Sequence, residues 1–320
     1  EPWDGPASIA FTDGTVIGAV LDRNGLRPSR YCVTKDDLVI MASETGVIEV
    51  APENVLIRER LHPGRIFLVD TAQGRIVDDE EVKEQLAAEH PYAQWLAENL
   101  VSIEDLPDAP ELPLPSPETI RQRQQIFGYT EEDLKLIVGP MARQGEEPIG
   151  SMGTDAAIAV LSDRPRLLYD YFAQLFAQVT NPPLDAIREK LVTAMESTIG
   201  PEGNLLEPTP QSCRQISIPY PIIDNDQLAK LRHVAVPGFT ARTLPMLFDV
   251  AADGAGLEQA MATLCADAEA AVRAGITIVI LSDRGVSHDL APIPSLLATS
   301  GVHHHLVRQG LRTRCGLIIE

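Results

Sequence analysis

What this sequence lacks narrows its function first. No apolar run is long enough to span a bilayer, which argues against a membrane protein. Basic residues are scarce: 26 Lys and Arg against 46 Asp and Glu leave a formal net charge of -20. Phosphate contacts need clustered Lys and Arg, so this balance argues against a nucleic-acid partner. It reads instead as an acidic, solvated surface. Paired cysteines are missing as well. Cys32, Cys213, Cys265 and Cys315 lie far apart with no C-x-x-C, against a zinc knuckle or a thioredoxin-type dithiol. They read as reduced core thiols. There is no G-x-S-x-G nucleophile elbow, and no internal repeat of fixed period. No signal peptide is visible, and residue 1 is Glu where an N-terminal-cysteine amidotransferase needs its thiol beside a free amine. Glu1-Pro2-Trp3-Asp4-Gly5 and Gly316 to Glu320 both read as interior sequence. The expectation is a piece of a larger polypeptide.

What is present suffices for a core. The 320 residues are 44% apolar, which fits a globular chain of two domains or one large one. Residues 8–50 carry short β signals punctuated by Asp13-Gly14, Asn24-Gly25 and Thr45-Gly46, and predict an antiparallel meander that ends in a strand over 47–50. Asn24-Gly25 lies in "DRNGLRPSRY", where Pro28 and the strand-like Tyr31-Cys32-Val33 argue against a phosphate loop and for a turn with positive φ. A strand pair follows over 56–70 with His62-Pro63-Gly64 at its turn. Asp78 to Asn99 reads as a helix broken by Pro91. "SIEDLPDAPELPLPSPE" is rich in proline and acid, the composition of an extended connector, and a domain boundary falls there.

Beyond it, Thr130 to Asp133 opens a helix that runs to Arg143 with an interruption at Pro140. Helices are predicted over 167–179 and 184–198. Leu257 to Ala274, Ile276 to Leu281, Pro292 to Gln309 and Cys315 to Ile319 then alternate helix, apolar strand, helix, strand. That is the signature of parallel α/β structure, in which ligand sites gather at the C-terminal strand ends.

Three stretches could carry chemistry. His303-His304-His305 invites a metal, but adjacent helical residues point about 100° apart and do not converge, so a packed helix end is favoured. Asp283-Arg284 follows a buried strand and reads either as a site or as an ordinary turn with a self-satisfying Asp-Arg pair. Gly150 to Asp155 reads as a helix-entry turn with Met152 filling a core gap, or as a place of close approach for a ligand. Composition favours the former.

Four stretches point to a family. "EPWDGPASIAFTDGTVIGAVLDRNGLRPSRY" resembles the late part of the class II amidotransferase domain of glutamate synthases. "GSMGTDAAIAVLSDRPRLLYDYFAQLFAQVTNPPLDAIRE", "GPEGNLLEPTPQSC" and "ILSDRGVSHDLAPIPSLLATSGVHHHLVRQGLRTRCGL" resemble the central domain of the same family. The resemblance implies an α/β fold overall: the antiparallel, β-rich end of an Ntn-type amidotransferase domain over 1–107, a Pro/acid-rich linker over 108–125, and an α/β central domain over 126–320. It implies a cytoplasmic enzyme that makes glutamate from glutamine and 2-oxoglutarate, passing ammonia between two sites. It further implies FMN and a [3Fe-4S] cluster in the intact enzyme, neither held by this stretch. A small FAD/NADPH-dependent subunit or ferredoxin would be the electron-donating partner. Within the chain, Met152 and Gly153 match the substrate and flavin pocket, and Thr180 matches the ammonia tunnel wall. Asp283 and Arg284 remain candidates for a βα-loop site. The nucleophile falls upstream of Glu1, so the isolated stretch is expected to be inactive. Alternatives are another class II amidotransferase, against which "LSDRG" and "VTNPP" speak, or a non-catalytic interaction module with an acidic surface.

Overall fold

The computed structural model describes residues 6–22, 25–148, 159–163, 166–172 and 193–320. Among these the chain forms two compact units, one running to Tyr92 and one from Ala93 to Glu320.

The first unit is mainly strand. Ser8–Thr12 (β1) and Val16–Leu21 (β2) form the hairpin that Asp13-Gly14 predicts. The Asp13 carboxylate accepts the backbone N–H groups of Thr15 and Val16 at 2.7 and 2.8 Å, which fixes that turn. Arg30–Thr34 (β3), Val39–Ala42 (β4), Val55–Arg60 (β5), Phe67–Asp70 (β6) and Arg75–Val77 (β7) complete the set. They do not form one meander. One sheet has the order β1-β2-β6-β7 and a second the order β4-β3-β5. The predicted pair over 56–70 is divided the same way, with β5 on β3 and β6 on β2. The turn at Asp22 to Gly25 is where the chain leaves one sheet for the other. Gly25 has φ 63° and donates its N–H to Asp22 O at 2.9 Å, as a left-handed turn residue should; Asn24 lies outside the described residues. Val47 to Val50 form no strand, and Val47 and Ile48 stay exposed. Asp79–Ala88 (α1) follows, capped by Asp78, and Pro91 separates it from Tyr92–Asn99 (α2), as expected.

The second unit holds the denser core. All of α2 but Tyr92 belongs to it, Val101–Ser102 (β8) follows, and the Pro-rich connector lies along it: Ile103, Leu106 and Leu112 are all buried. Ile120–Ile126 (α3) comes next. A capping box between Thr130 and Asp133 then starts a helical run, and Pro140 does not interrupt it. A π-turn over Asp133–Val138 passes directly into Gly139–Gln144 (α4), so Pro140 is carried inside one helical run.

At the start of the helix expected over 167–179, Leu168–Tyr171 make a 3-10 turn and Phe172 is extended; residues 173–179 lie outside the described residues. The helix expected to end at Thr198 does not reach it. Ser197–Ile199 is a strand (β9), paired with Ile216–Ile218 (β10), which also pairs with β8.

The parallel sheet has the order β11-β13-β15, formed by Ala241–Pro245 (β11), Ile278–Ser282 (β13) and Gly316–Ile319 (β15). Leu247–Asp249 (β12) and Leu290–Pro292 (β14) pair beside it, so the helix expected from Pro292 starts three residues later. Asn225–Arg232 (α5), Asp253–Arg273 (α6) and Ser295–Arg308 (α7) are its helices. Successive side chains of a strand face opposite ways. Ile278 and Ile280 therefore enter one core with Ile103, Ile216, Leu231 and Ile318. Val279 and Leu281 enter another with Leu264, Val302, Leu306 and Leu311. A continuous apolar strand covered on both faces is what a parallel sheet requires.

Candidate functional site

The parallel strands β13 and β15 end side by side. Asp283 and Arg284 follow the first, and Glu320 follows the second. At these ends lies a cleft of about 490 Å³, lined in part by Arg123, Asn225, Asp283, Arg284 and Glu320. It sits where open α/β sheets collect their ligands.

The residues have separate duties. Arg284 is held by protein at all three of its nitrogens. Its Nε donates to Glu320, its Nη1 donates to the carbonyl of Pro113 at 2.9 Å, and its Nη2 donates to Asn225 Oδ1 at 3.1 Å. One guanidinium thus ties the end of β15, the connector and the first turn of α5. Glu320 also accepts from Arg232 Nη2. Burial pushes the Glu320 carboxyl up, but hydrogen bonds from Ser282 and Arg284 and the charges of Arg232 and Arg284 together hold it below the usual range.

The self-satisfying Asp283-Arg284 pair is not formed. Glu320 takes Arg284 because it sits at the end of the neighbouring parallel strand. Asp283 has no hydrogen bond or ion pair through its side chain among the described residues. Burial first, then the Glu320 charge, pushes its carboxyl up, against Arg123 and Arg284. Arg123, Asn225 and Glu320 carry no motif. Only Glu320 had a signal in the sequence, its place at the end of an apolar strand.

Met152, Gly153 and Thr180 lie outside the described residues. The three histidines of α7 do not converge. His303 Nδ1 accepts from Arg312 Nε at 3.1 Å, while His305 Nε2 lies 2.7 Å from Glu269 Oε2. Burial first, then the Arg312 and His304 charges, holds the His303 ring below its usual value. A thiolate-held iron–sulfur cluster needs three or four cysteines together. The four here are free, and no group of three His, Cys, Asp or Glu among the described residues could hold a metal. The described residues therefore do not fit such a cluster. No helix among them is long and apolar enough to cross a membrane.

Comparison with known proteins divides the chain in two. The family model described as glutamine amidotransferases class-II matches residues 1–95, and the one described as glutamate synthase central domain matches residues 122–320. The whole chain is 48% identical over 320 residues to the glutamate synthase [NADPH] large chain of Bacillus subtilis, covering 21% of that protein. It is 43% identical over 335 residues to the glutamate synthase [NADH] of Schizosaccharomyces pombe, covering 16% of it. It is 42% identical over 325 residues to ferredoxin-dependent glutamate synthase 2 of a Synechocystis strain, covering 21% of it. In each case all of this chain is aligned, so it spans about a fifth of the length of the relatives it matches.

Proposed function

The chain belongs to the glutamate synthase central-domain family, and from that premise we propose that it is part of an enzyme converting glutamine, 2-oxoglutarate and reductant into two glutamates. The observation that carries this reading is the order of the two matched regions: amidotransferase sequence first, synthase central domain second, in one chain. Atoms balance across three steps. Water cleaves the glutamine amide to glutamate and ammonia. Ammonia condenses with the 2-oxoglutarate carbonyl and releases water, leaving an imine. Two electrons and two protons then reduce the imine to the second glutamate. FMN and a [3Fe-4S] cluster, bound elsewhere in the intact protein, would deliver those electrons from a small FAD/NADPH-dependent subunit or from ferredoxin.

In this reading the stretch divides at 1–107, 108–125 and 126–320 into amidotransferase end, linker and central domain. Met152 and Gly153 face the 2-oxoglutarate and flavin pocket. Thr180 lines the ammonia path, where a hydroxyl can offer a hydrogen bond without trapping ammonia as ammonium. The parallel sheet, with its two cores, would serve as the scaffold that keeps the path in place.

The test is Thr180→Val in the full-length protein, which keeps shape and removes the hydroxyl. Glutamine-dependent synthesis should fall while synthesis with added ammonium falls less. Equal loss with both nitrogen sources, or no loss with either, would remove Thr180 from the path.

A further inference from the structure

Two opposite charges face the strand-end cleft without touching. Arg123, on α3, has no side-chain hydrogen bond or ion pair among the described residues, and neither has Asp283, which follows β13. Each feels the other's charge, yet they form no pair within contact distance. The neighbouring side chains already hold each other: Glu320 is held by Arg232 and Arg284, and Arg284 is further occupied by Pro113 and Asn225. Arg284 therefore builds the wall, while Arg123 and Asp283 are the groups left to meet a ligand.

We propose that this cleft binds the zwitterionic head of an α-amino acid, Arg123 taking the carboxylate and Asp283 the ammonium. The chemistry follows from the two unpaired charges of opposite sign. A guanidinium presents a planar fork matched to a carboxylate, and a lone carboxylate accepts the donors of an ammonium. A simple anion would satisfy Arg123 and leave Asp283 unanswered. A simple cation would reverse the fault. A ligand carrying both charges answers both groups. Asp283 also gains most from such a ligand, because burial and Glu320 penalise its ionised form, and an incoming ammonium offsets that penalty. A cleft of about 490 Å³ is ample for a free amino acid and lies within the roughly 300–1,000 Å³ usual for small-molecule sites. Leu114, Pro115 and Val286 supply apolar wall for its side chain.

The experiment uses the full-length protein and the proteinogenic amino acids one by one, read by saturation-transfer NMR. Glutamine and glutamate are left out, because the proposed function itself requires them to bind elsewhere. At least one member should bind at millimolar concentration. Its analogues lacking either the amino or the carboxylate group should bind at least about tenfold more weakly to the same wild-type protein, since each loses one charged contact. Arg123→Gln and Asp283→Asn should each weaken binding by a similar factor. No binding by any member would overturn the proposal. So would half-ligands that bind as well as the whole, or retention of binding in either variant. The analogue series needs no variant and decides the matter even where a substitution prevents folding.

Discussion

Strands β1 and β13 are each five residues long, and each carries apolar residues, yet every residue of β1 is exposed and every residue of β13 is buried. In β1, Ile9 is 47% exposed and Phe11 is 43% exposed. Composition separates them only in part, three apolar residues in β1 against four in β13; neighbours do the rest. β13 lies between β11 and β15, with helices and a second sheet supplying a core to each face. Among the described residues β1 lies at the edge of its sheet and pairs with β2 alone. Its Phe11 folds over the opposite Gly18, where an added Cβ would meet the ring at 2.3 Å. That is a local repair of a glycine gap within a sheet. An apolar residue here is therefore worth what surrounds it.

The sharpest way to break this comparison is to delete the same atoms from both strands. Ile280→Ala removes a fully buried side chain from a two-sided core and should cost about 2–5 kcal/mol. Ile9→Ala, on the exposed edge, should cost no more than about 0.5 kcal/mol. Two units need not unfold together, so hydrogen exchange of each strand is the right readout alongside denaturant unfolding. Equal losses at the two positions would mean that β1 has a cover of its own.

A smaller effect tests the turn between the two sheets of the first unit. Gly25 has φ 63°, and a Cβ there would lie 3.0 Å from three atoms of the Pro63 ring. Gly25→Val should destabilise by about 1–3 kcal/mol through forced left-handed backbone, with the ring contact adding to it. An unchanged melting temperature would show that the turn relaxes freely.

Much of this architecture is legible in the sequence, and the misses have physical causes. Asp13-Gly14 specifies its hairpin and Pro91 divides its helices because both act through local backbone geometry. The alternation from Leu257 onward specifies the parallel sheet because a strand buried on both faces must be apolar throughout. Sheet membership is different. Nothing local in β2 and β3 states that they belong to different sheets, since pairing is decided by distant partners such as β6 and β5. β10 and β11 escaped notice for the same reason, and the apolar pattern of Leu168 to Phe172 suggested a helix start where the chain makes a 3-10 turn. At the cleft, Asp283 and Arg284 stood out by position. Their partners did not, because Arg123, Asn225 and Glu320 converge only through the fold.

A third test compares one device in two settings. Asp78 caps α1 by accepting from Glu80 N, and Asp224 caps α5 through a full capping box with Gln227. Helix α1 has no buried residue, whereas α5 buries Leu228, Ala229 and Leu231. Asp78→Ala and Asp224→Ala should each cost roughly 0.5–2 kcal/mol. The loss at α1 should appear as fraying of that helix alone, and the loss at α5 as lowered protection of the parallel sheet. Protection lost from the parallel sheet in both variants would contradict the separation of the units.

The smallest effect has a sign that differs between the units. Asp283, in the second unit, has its carboxyl pushed up from 3.8 by burial first and then by Glu320, against the opposing charges of Arg123 and Arg284. A carboxyl raised on folding stabilises the fold below its unfolded value, and that contribution is lost as pH rises through the folded value. At neutral pH its ionised form therefore costs stability. Asp283→Asn keeps the shape and removes the charge, so it should stabilise the protein at pH 7, within about 1 kcal/mol. The gain should vanish once pH falls below 3.8, where the native carboxyl is protonated in both states. Asp13, in the first unit, behaves oppositely. The backbone N–H groups of Val16 and Thr15 hold its carboxyl below 3.8. A carboxyl lowered on folding contributes stability above its unfolded value, and loses it as pH falls through the folded value. Asp13→Asn should therefore destabilise at pH 7 and become neutral in acid. Unfolding titrations of both variants between pH 7 and pH 3, without added amino acids, decide the matter. Two effects of the same sign would mean that the two carboxyls do not differ in environment as their partners indicate.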